Sequence, residues 1–503
     1  MDSDLETHPK MTTDLCFRNA KELAAGIRGG EFSSVEVTEA HIAQIERVNP
    51  AVNAVVTFLP EQALERARAA DDALARGEEV GPLHGLPMLH KDTTDTAGIR
   101  TTYGSPIHRD NVPEQSQLII ERLHAAGAIP MGKTNVPEFG AGSQSFNPVF
   151  GATGNPYDPS KTCGGSSGGQ AVALACGMTP IADGSDMGGS LRNPGNYCNV
   201  VGFRVSPGRV PVWPSMAGWS GLSVQGPMAR TVEDVAFLLS VIAGPDARSP
   251  IAQSEPGSVF ARPLARDFSG VRIAYSADLG GEFPVDPRVR NAIEAQLPAF
   301  GGIGCEVTDF SGAGAGRQRD DGPGLPDFGD ADEIFKIMRA WSFHLSHGPL
   351  LAEHRHQMKD TIVWNIEEGE KLSGADVGRA EAMRTELYQA MRVFMETYEF
   401  LLLPVNQVPP FSVDVPYPMA IDSGDGIVEM ETYIDWMKSC YFITVTGHPA
   451  ISVPCGFTPE GVPVGVQIVG RHRDDLGVLQ MAHAFERATR VGERRPGVLA
   501  GSG

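Results

Sequence analysis

The chain has 503 residues, of which 41% are hydrophobic and 20% charged, ordinary values for a globular protein that buries a sizeable core. Its formal net charge of −21 and pI near 5.0 speak against a nucleic-acid binder, whose affinity needs a basic face, and against polyanionic substrates. Neutral or cationic small molecules remain as partners, and the expected assembly is a monomer or homodimer.

Residues 1–13 are polar and read as loose. Positions 19–28 predict a short helix ended by Gly29–Gly30. Ser33-Ser-Val-Glu36 is a capping box ahead of Val37, Ile42 and Ile45 at helical spacing, and Asn49–Pro50 predicts the end of that helix. A strand over 53–58 and an amphipathic helix over 61–76 follow. The apolar run 87–90 ends in Lys91–Asp92, which predicts a buried strand that delivers Lys91 at its end. A helix over 116–126 leads to a strand over 128–131.

Residues 140–230 are glycine-rich with few charges, and 304–331 is a Gly/Asp-rich stretch that reads as a mobile excursion. Helical patterns run over 332–400 with breaks near Gly348 and Ser373. Strands over 400–405, 451–453 and 462–469 precede a closing helix over 474–489. Alternating helices and short buried strands predict an α/β layered architecture.

The seven cysteines are odd in number and lack C-x-x-C spacing, so neither a disulfide framework nor a zinc site is expected. The polar first ten residues carry no apolar signal core, and no stretch approaches a membrane-spanning length. A cytoplasmic protein without a membrane span is the expectation.

Two clusters carry the chemistry: Cys163-Gly-Gly-Ser-Ser-Gly-Gly169 and Gly184-Ser-Asp-Met-Gly-Gly-Ser-Leu-Arg-Asn-Pro194. The first has a linker's composition, but an apolar helical segment follows it at once, which a linker would not have. Glycines around a serine let a substrate carbonyl approach backbone N–H groups closely. The amides of Met187, Gly188, Gly189 and Ser190 could then form an oxyanion hole. A desolvated Lys91, partly neutral at pH 7, could act as the base for a serine.

These clusters, with the upstream Lys91–Asp92, resemble the amidase signature family. The match extends to His84-Gly-Leu-Pro87, Gly132-Lys-Thr-Asn-Val-Pro-Glu138, Gly447-His-Pro-Ala-Ile-Ser-Val-Pro454 and Val464-Gly-Val-Gln-Ile-Val-Gly470, roughly from residue 15 to 490. The resemblance implies one α/β/α domain around a mixed sheet. Its parts would be an N-terminal helical arm over 15–80, a catalytic core over 81–235, a variable segment over 304–400 lining the substrate entrance, and a C-terminal part over 400–490.

The resemblance also implies a triad, with Ser190 as nucleophile, Ser166 as the bridging serine on a cis peptide and Lys91 as base. Ser167 would support Lys91 by hydrogen bonding, and Asp186 with Arg192 would hold the nucleophile loop. Neither a metal nor an organic cofactor is implied. Gly142, Ser143 and Arg209 are expected as substrate contacts, with the 205–225 loop beside them. Ser185 and Met187 depart from the family's usual residues without removing a catalytic group. Asn193–Pro194 and the run from Cys198 to Arg209 resemble the bacterial branch of aryl-acylamidases and urethanases. The implied reaction is hydrolysis of an amide, anilide or carbamate.

Rival readings are a Ser-His-Asp esterase with Ser166 in a G-x-S-x-G elbow and His448 as base, and the glutaminase subunit of a tRNA-dependent amidotransferase. The turn-like 155–162 disfavours the elbow, which needs an apolar strand before it. The stretch from Gly127 to Thr134 formally matches a phosphate-binding loop, but Pro130 and Pro137 exclude the required helix. His344, His347, His354 and His356 read as a solvated helix face, and Cys163 as packing. His90 is expected on the opposite face of its strand from Lys91. Trp213 and Trp219 are expected near the cleft or in the core.

Overall fold

The computed structural model describes residues 15–312 and 322–500, and the statements below concern those residues. Eleven strands form one continuous mixed sheet: β1 (Val55–Phe58), β2 (Pro87–Lys91), β3 (Ile129–Thr134), β4 (Ile181–Asp186), β5 (Val201–Arg204), β6 (Val224–Ala229), β7 (Arg272–Tyr275), β8 (Glu306–Asp309), β9 (Phe400–Pro404), β10 (Ala450–Phe457) and β11 (Pro463–Gly470). Their spatial order is β1–β3–β2–β4–β6–β5–β10–β11–β9–β7–β8.

The β3–β2–β4 and β9–β7–β8 groups are parallel, and the remaining neighbours pair antiparallel. Every residue of β2, β3, β9 and β11 is buried, as expected of strands covered on both faces by helices. The parallel neighbours β2 and β4 carry Lys91 and Asp186 at their C-terminal ends, where α/β sheets usually open a crevice.

The capping box forms as read. The Glu36 N–H donates to Ser33 Oγ at 3.0 Å, and the Ser33 N–H donates to Glu36 Oε2 at 2.7 Å. The helix it starts does not stop at Asn49–Pro50. It runs over Ser34–Val52 and ends at Asn53, in the left-handed region at φ 51°, whose N–H donates to the Asn49 carbonyl. Proline removes one donor near a helix end, where few hydrogen bonds remain to be lost, so the last turn survives it.

Two further expectations change. Within 304–331, Glu306–Asp309 is the edge strand β8, parallel to β7, and positions 313–321 lie outside the described residues. The expected break near Gly348 is absent: one helix spans Ala331–His354. A second helix, Asp360–Glu370, lies against it where Gly369 meets Ala340, since a Cβ on Gly369 would come within 2.2 Å of the Ala340 carbonyl oxygen. That close approach fixes the helix carrying Arg339 and Phe343 against its neighbour. No helix among the described residues is long and apolar enough to cross a membrane.

Candidate active site

Lys91 ends β2 with its side chain buried among polar neighbours. Its Nζ donates to Ser166 Oγ at 2.8 Å and to Ser185 Oγ at 2.9 Å. Burial lowers its pKa from the ordinary 10.5 to about 7, against the opposing pull of the Asp183 and Asp186 charges. Close to half of the lysine is therefore neutral near pH 7 and able to accept a proton.

The Ser167 hydroxyl, expected to support Lys91, does not: it is buried and without a hydrogen-bond partner. The supporting hydroxyl is that of Ser185. Antiparallel and parallel pairing put Ser185 beside the end of β2, whereas Ser167 initiates the buried helix Gly168–Ala175 and places its N–H on the Ser190 carbonyl at 3.2 Å. The peptide bond between Gly165 and Ser166 is cis.

The 186–192 turn is organised by Asp186. Its carboxylate accepts from the amides of Gly189 and Leu191, each at 3.1 Å, and from Arg192 Nε at 3.0 Å and Nη2 at 2.8 Å. Arg204 lies 3.3 Å from the same carboxylate. Burial alone would raise this carboxyl, but the two guanidiniums hold it well below the usual carboxylate range. Gly189 sits at φ 114°, and a Cβ there would approach Cys440 Cβ to 2.7 Å, so glycine is required.

The consequence for the oxyanion hole is specific. The Gly189 N–H is already engaged by Asp186, while those of Met187, Gly188 and Ser190 have no acceptor among the described residues. Three of the four expected donors, the amides of Met187, Gly188 and Ser190, therefore remain for a developing oxyanion. The Ser190 hydroxyl likewise bonds to no described residue and faces the cleft.

The cleft encloses about 380 Å³, within the usual range for small-molecule sites. Ser166, Ser185, Met187, Gly188 and Ser190 line it, together with Gly142 and Ser143. Val210, Val212, Pro214 and Met216 of the 205–225 loop and Arg339, Phe343 and His347 of the Ala331–His354 helix also line it. Arg209, expected as a substrate contact, is not among the lining residues. It is buried and tied to Asp475 at 2.9 Å and Glu255 at 2.7 Å, so its role is to anchor that loop.

His347 also departs from expectation. Of the four histidines read as a solvated face, it turns to the cleft and packs on Phe139 with centroids 4.5 Å apart, and burial lowers it to about 4. His448, the base of the rival esterase reading, bonds to Thr446, packs near Tyr388 and His472 and is not among the lining residues. Burial pushes the Cys163 thiol up to about 12, which leaves it inert as a nucleophile. Lys133 lies in β3 with Nζ on Thr94 O and Thr96 Oγ1, not in a phosphate-binding loop.

Trp213 packs under the Arg248 guanidinium and Trp219 is 81% exposed; neither lines the cleft, although Pro214 and Gly218 beside them do. Residue types alone left one feature unseen: His90 Nδ1 and Asp183 Oδ1 form a fully buried pair at 2.9 Å, on the far side of β2 from Ser166. The second Asp183 oxygen receives the Lys91 backbone N–H at 3.4 Å and Thr94 Oγ1 at 3.2 Å.

Comparison with known proteins places this geometry among relatives. A family model described as Amidase matches residues 36–479. An acylamidase of Rhodococcus erythropolis is 33% identical over 485 residues, covering 96% of this chain and 98% of the relative. The A-type subunit of the glutamyl-tRNA(Gln) amidotransferase of Methylococcus capsulatus is 34% identical over 495 residues, covering 95% and 98%. Among solved structures, a bacterial aryl acylamidase of the amidase signature family superimposes with a TM-score of 0.86 at 27% identity, covering 96% of this chain and 99% of that one.

Proposed function

The chain belongs to the amidase signature family, and from that premise we propose that it cleaves the acyl C–N bond of small amides, anilides or carbamates through Ser190, Ser166 and Lys91. As a member it is a hydrolase of C–N bonds other than peptide bonds. The observation that carries the mechanism is the buried Lys91 amine, lowered to about 7 and bonded to Ser166 in a cleft that Ser190 also faces.

Neutral Lys91 takes the Ser166 proton as Ser166 takes that of Ser190, and Ser190 Oγ attacks the carbonyl carbon. The oxyanion is received by the amides of Met187, Gly188 and Ser190, worth about 3 kcal/mol per donor in comparable sites. Reversal of the relay protonates the leaving amine. Water then cleaves the acyl-enzyme ester by the same proton path. From a carbamate, the products would be amine, carbon dioxide and alcohol.

No hydrogen bond joins the Ser166 and Ser190 hydroxyls among the described residues, and catalytic hydrogen bonds of this kind form fully with substrate in place.

Initial rates on a matched anilide and N-aryl carbamate, with wild type beside Ser190→Ala, test the reading. Turnover that vanishes in the variant is expected, and the ratio of the two rates assigns the preferred class. Equal turnover by the variant would sink the nucleophile assignment. The 34% identity to a component of an amidotransferase favours one second reading, a partner-dependent glutaminase. An anilide turned over by the purified single chain would exclude it.

A further inference from the structure

We propose that Arg339 is the anchor of an anion subsite, so that the preferred substrates carry a carboxylate beyond the scissile bond; this rests on the hydrolase reading above and narrows its substrate class.

The whole chain carries −21, yet no aspartate or glutamate of the described residues lines the cleft. Among the described residues Arg339 is the one Lys or Arg in that lining, and the adjacent His347 is held neutral by burial. Arg339 is only 4% exposed and has no carboxylate within ion-pairing distance among the described residues. Its Nη2 donates to Tyr433 Oη at 2.6 Å, and its Nη1 meets Met187 Sδ, a weak acceptor, at 3.5 Å. Its Nε–H is buried without an acceptor. The guanidinium lies 4.4 Å over the Phe343 ring, which fixes its plane.

A buried cation without a counter-ion is costly. This fold avoids that cost for Arg192 and Arg204, which share Asp186, and for Arg209, which holds Asp475 and Glu255. Arg230, also buried without an ion pair among the described residues, is satisfied by the Leu174, Thr179 and Arg18 carbonyls, whereas Arg339 keeps its Nε–H unsatisfied beside the catalytic cleft, with Nη1 on the first residue of the oxyanion loop.

A second cation stands nearby. The Lys359 amine lies behind Gly142, 3.7 Å from where a Cβ on that residue would sit. Burial, and after Glu138 the charge of Arg339, set its pKa near 8. A guanidinium with unused N–H groups and a planar face presents the donor geometry that a carboxylate accepts. The Ser342 and Ser346 hydroxyls line the same cleft and can supply further donors, while Phe139 and Phe343 offer an apolar wall to the spacer.

The test uses three anilides: N-phenylsuccinamate with its carboxylate on the acyl side, 4-acetamidobenzoate with it on the amine side, and uncharged N-phenylpentanamide. The kinetic expectation is a kcat/KM about tenfold to a hundredfold higher for one charged anilide than for the neutral one, the range of a charge-assisted contact. Arg339→Met is expected to bring that ratio close to one, and Arg339→Lys, which keeps the charge without the fork, to restore part of it. Calorimetric binding of the same compounds to Ser190→Ala, with and without Arg339→Met, reads the subsite independently of chemistry. A wild type with no preference in either rate or binding, or a preference untouched by Arg339→Met, overturns the proposal. Arg339-dependent binding without turnover of any anilide would support the subsite and sink the anilide part of the hydrolase reading instead.

Discussion

Replacing Lys91 with methionine should abolish most activity and make the protein more stable at neutral pH. The amine is fully buried, and its fall from 10.5 to about 7 corresponds to about 5 kcal/mol of stability forgone whenever the pH is below 7. Methionine has a similar length and no charge, but it gives up the hydrogen bonds to Ser166 and Ser185, worth about 1 kcal/mol each. The net gain at pH 6.5 is therefore about 3 kcal/mol.

The pH dependence has a definite sign. Unfolded, the lysine keeps its proton up to about 10.5, and folded it releases it near 7. Between those values the unfolded chain binds more protons, so wild-type stability rises with pH relative to the variant, by about 1.4 kcal/mol per pH unit. The two proteins should become equally stable near pH 9, by the same reckoning of about 5 less 2 kcal/mol.

For a chain of this size 1 kcal/mol is about 1 °C in Tm, so thermal melts should place the variant about 3 °C above wild type at pH 6.5. Initial rates on an anilide should fall about a hundredfold to ten-thousandfold, and the wild-type kcat/KM should show a rising limb centred near pH 7. A variant that melts below wild type at pH 6.5, or a difference that stays flat from pH 7 to 9, would refute the claim that Lys91 is a destabilised base.

Four further substitutions probe its surroundings. Ser185→Ala removes one of the two partners of Lys91 Nζ and should lower kcat about tenfold with little change in KM, whereas Ser167→Ala should cost less; the reverse order in steady-state kinetics would return the supporting role to Ser167. Asp183→Asn removes a charge that raises the Lys91 pKa, so the rising limb should move to lower pH, and a limb displaced upward would contradict the geometry. Asp186→Asn leaves Arg192 and Arg204 buried with a neutral partner and should destabilise by about 3–5 kcal/mol, read as a fall of several degrees in Tm; an unchanged melt would show that the turn is held otherwise.

Strands buried on both faces were legible because their apolar runs end at informative residues, as 87–90 does at Lys91. Boundaries were less so, for local reasons. Pro50 signals a helix end but sits in a last turn where few hydrogen bonds remain to break, and Gly348 with Pro349 lies late in a helix held by its neighbours. The edge strand Glu306–Asp309 was hidden because only Val307 and Thr308 are partly buried, and acidic ends in a Gly-rich stretch read as a loop.

The site divides in the same way. Contiguous motifs announced Lys91, Ser166, Asp186 and Ser190, because local backbone geometry keeps such residues close. Which hydroxyl reaches Lys91 depends on strand pairing across 94 positions, and no motif specifies that; Ser185 and Ser167 are equally short and polar. Charge was the least legible property. A sum of −21 predicts neutral or cationic ligands only if charge is spread evenly, and here none of the described carboxylates lines the cleft while Arg339 does. A field falls off within about 10 Å in salt, so the nearest buried guanidinium outweighs a distant acidic surface in deciding what the cleft attracts.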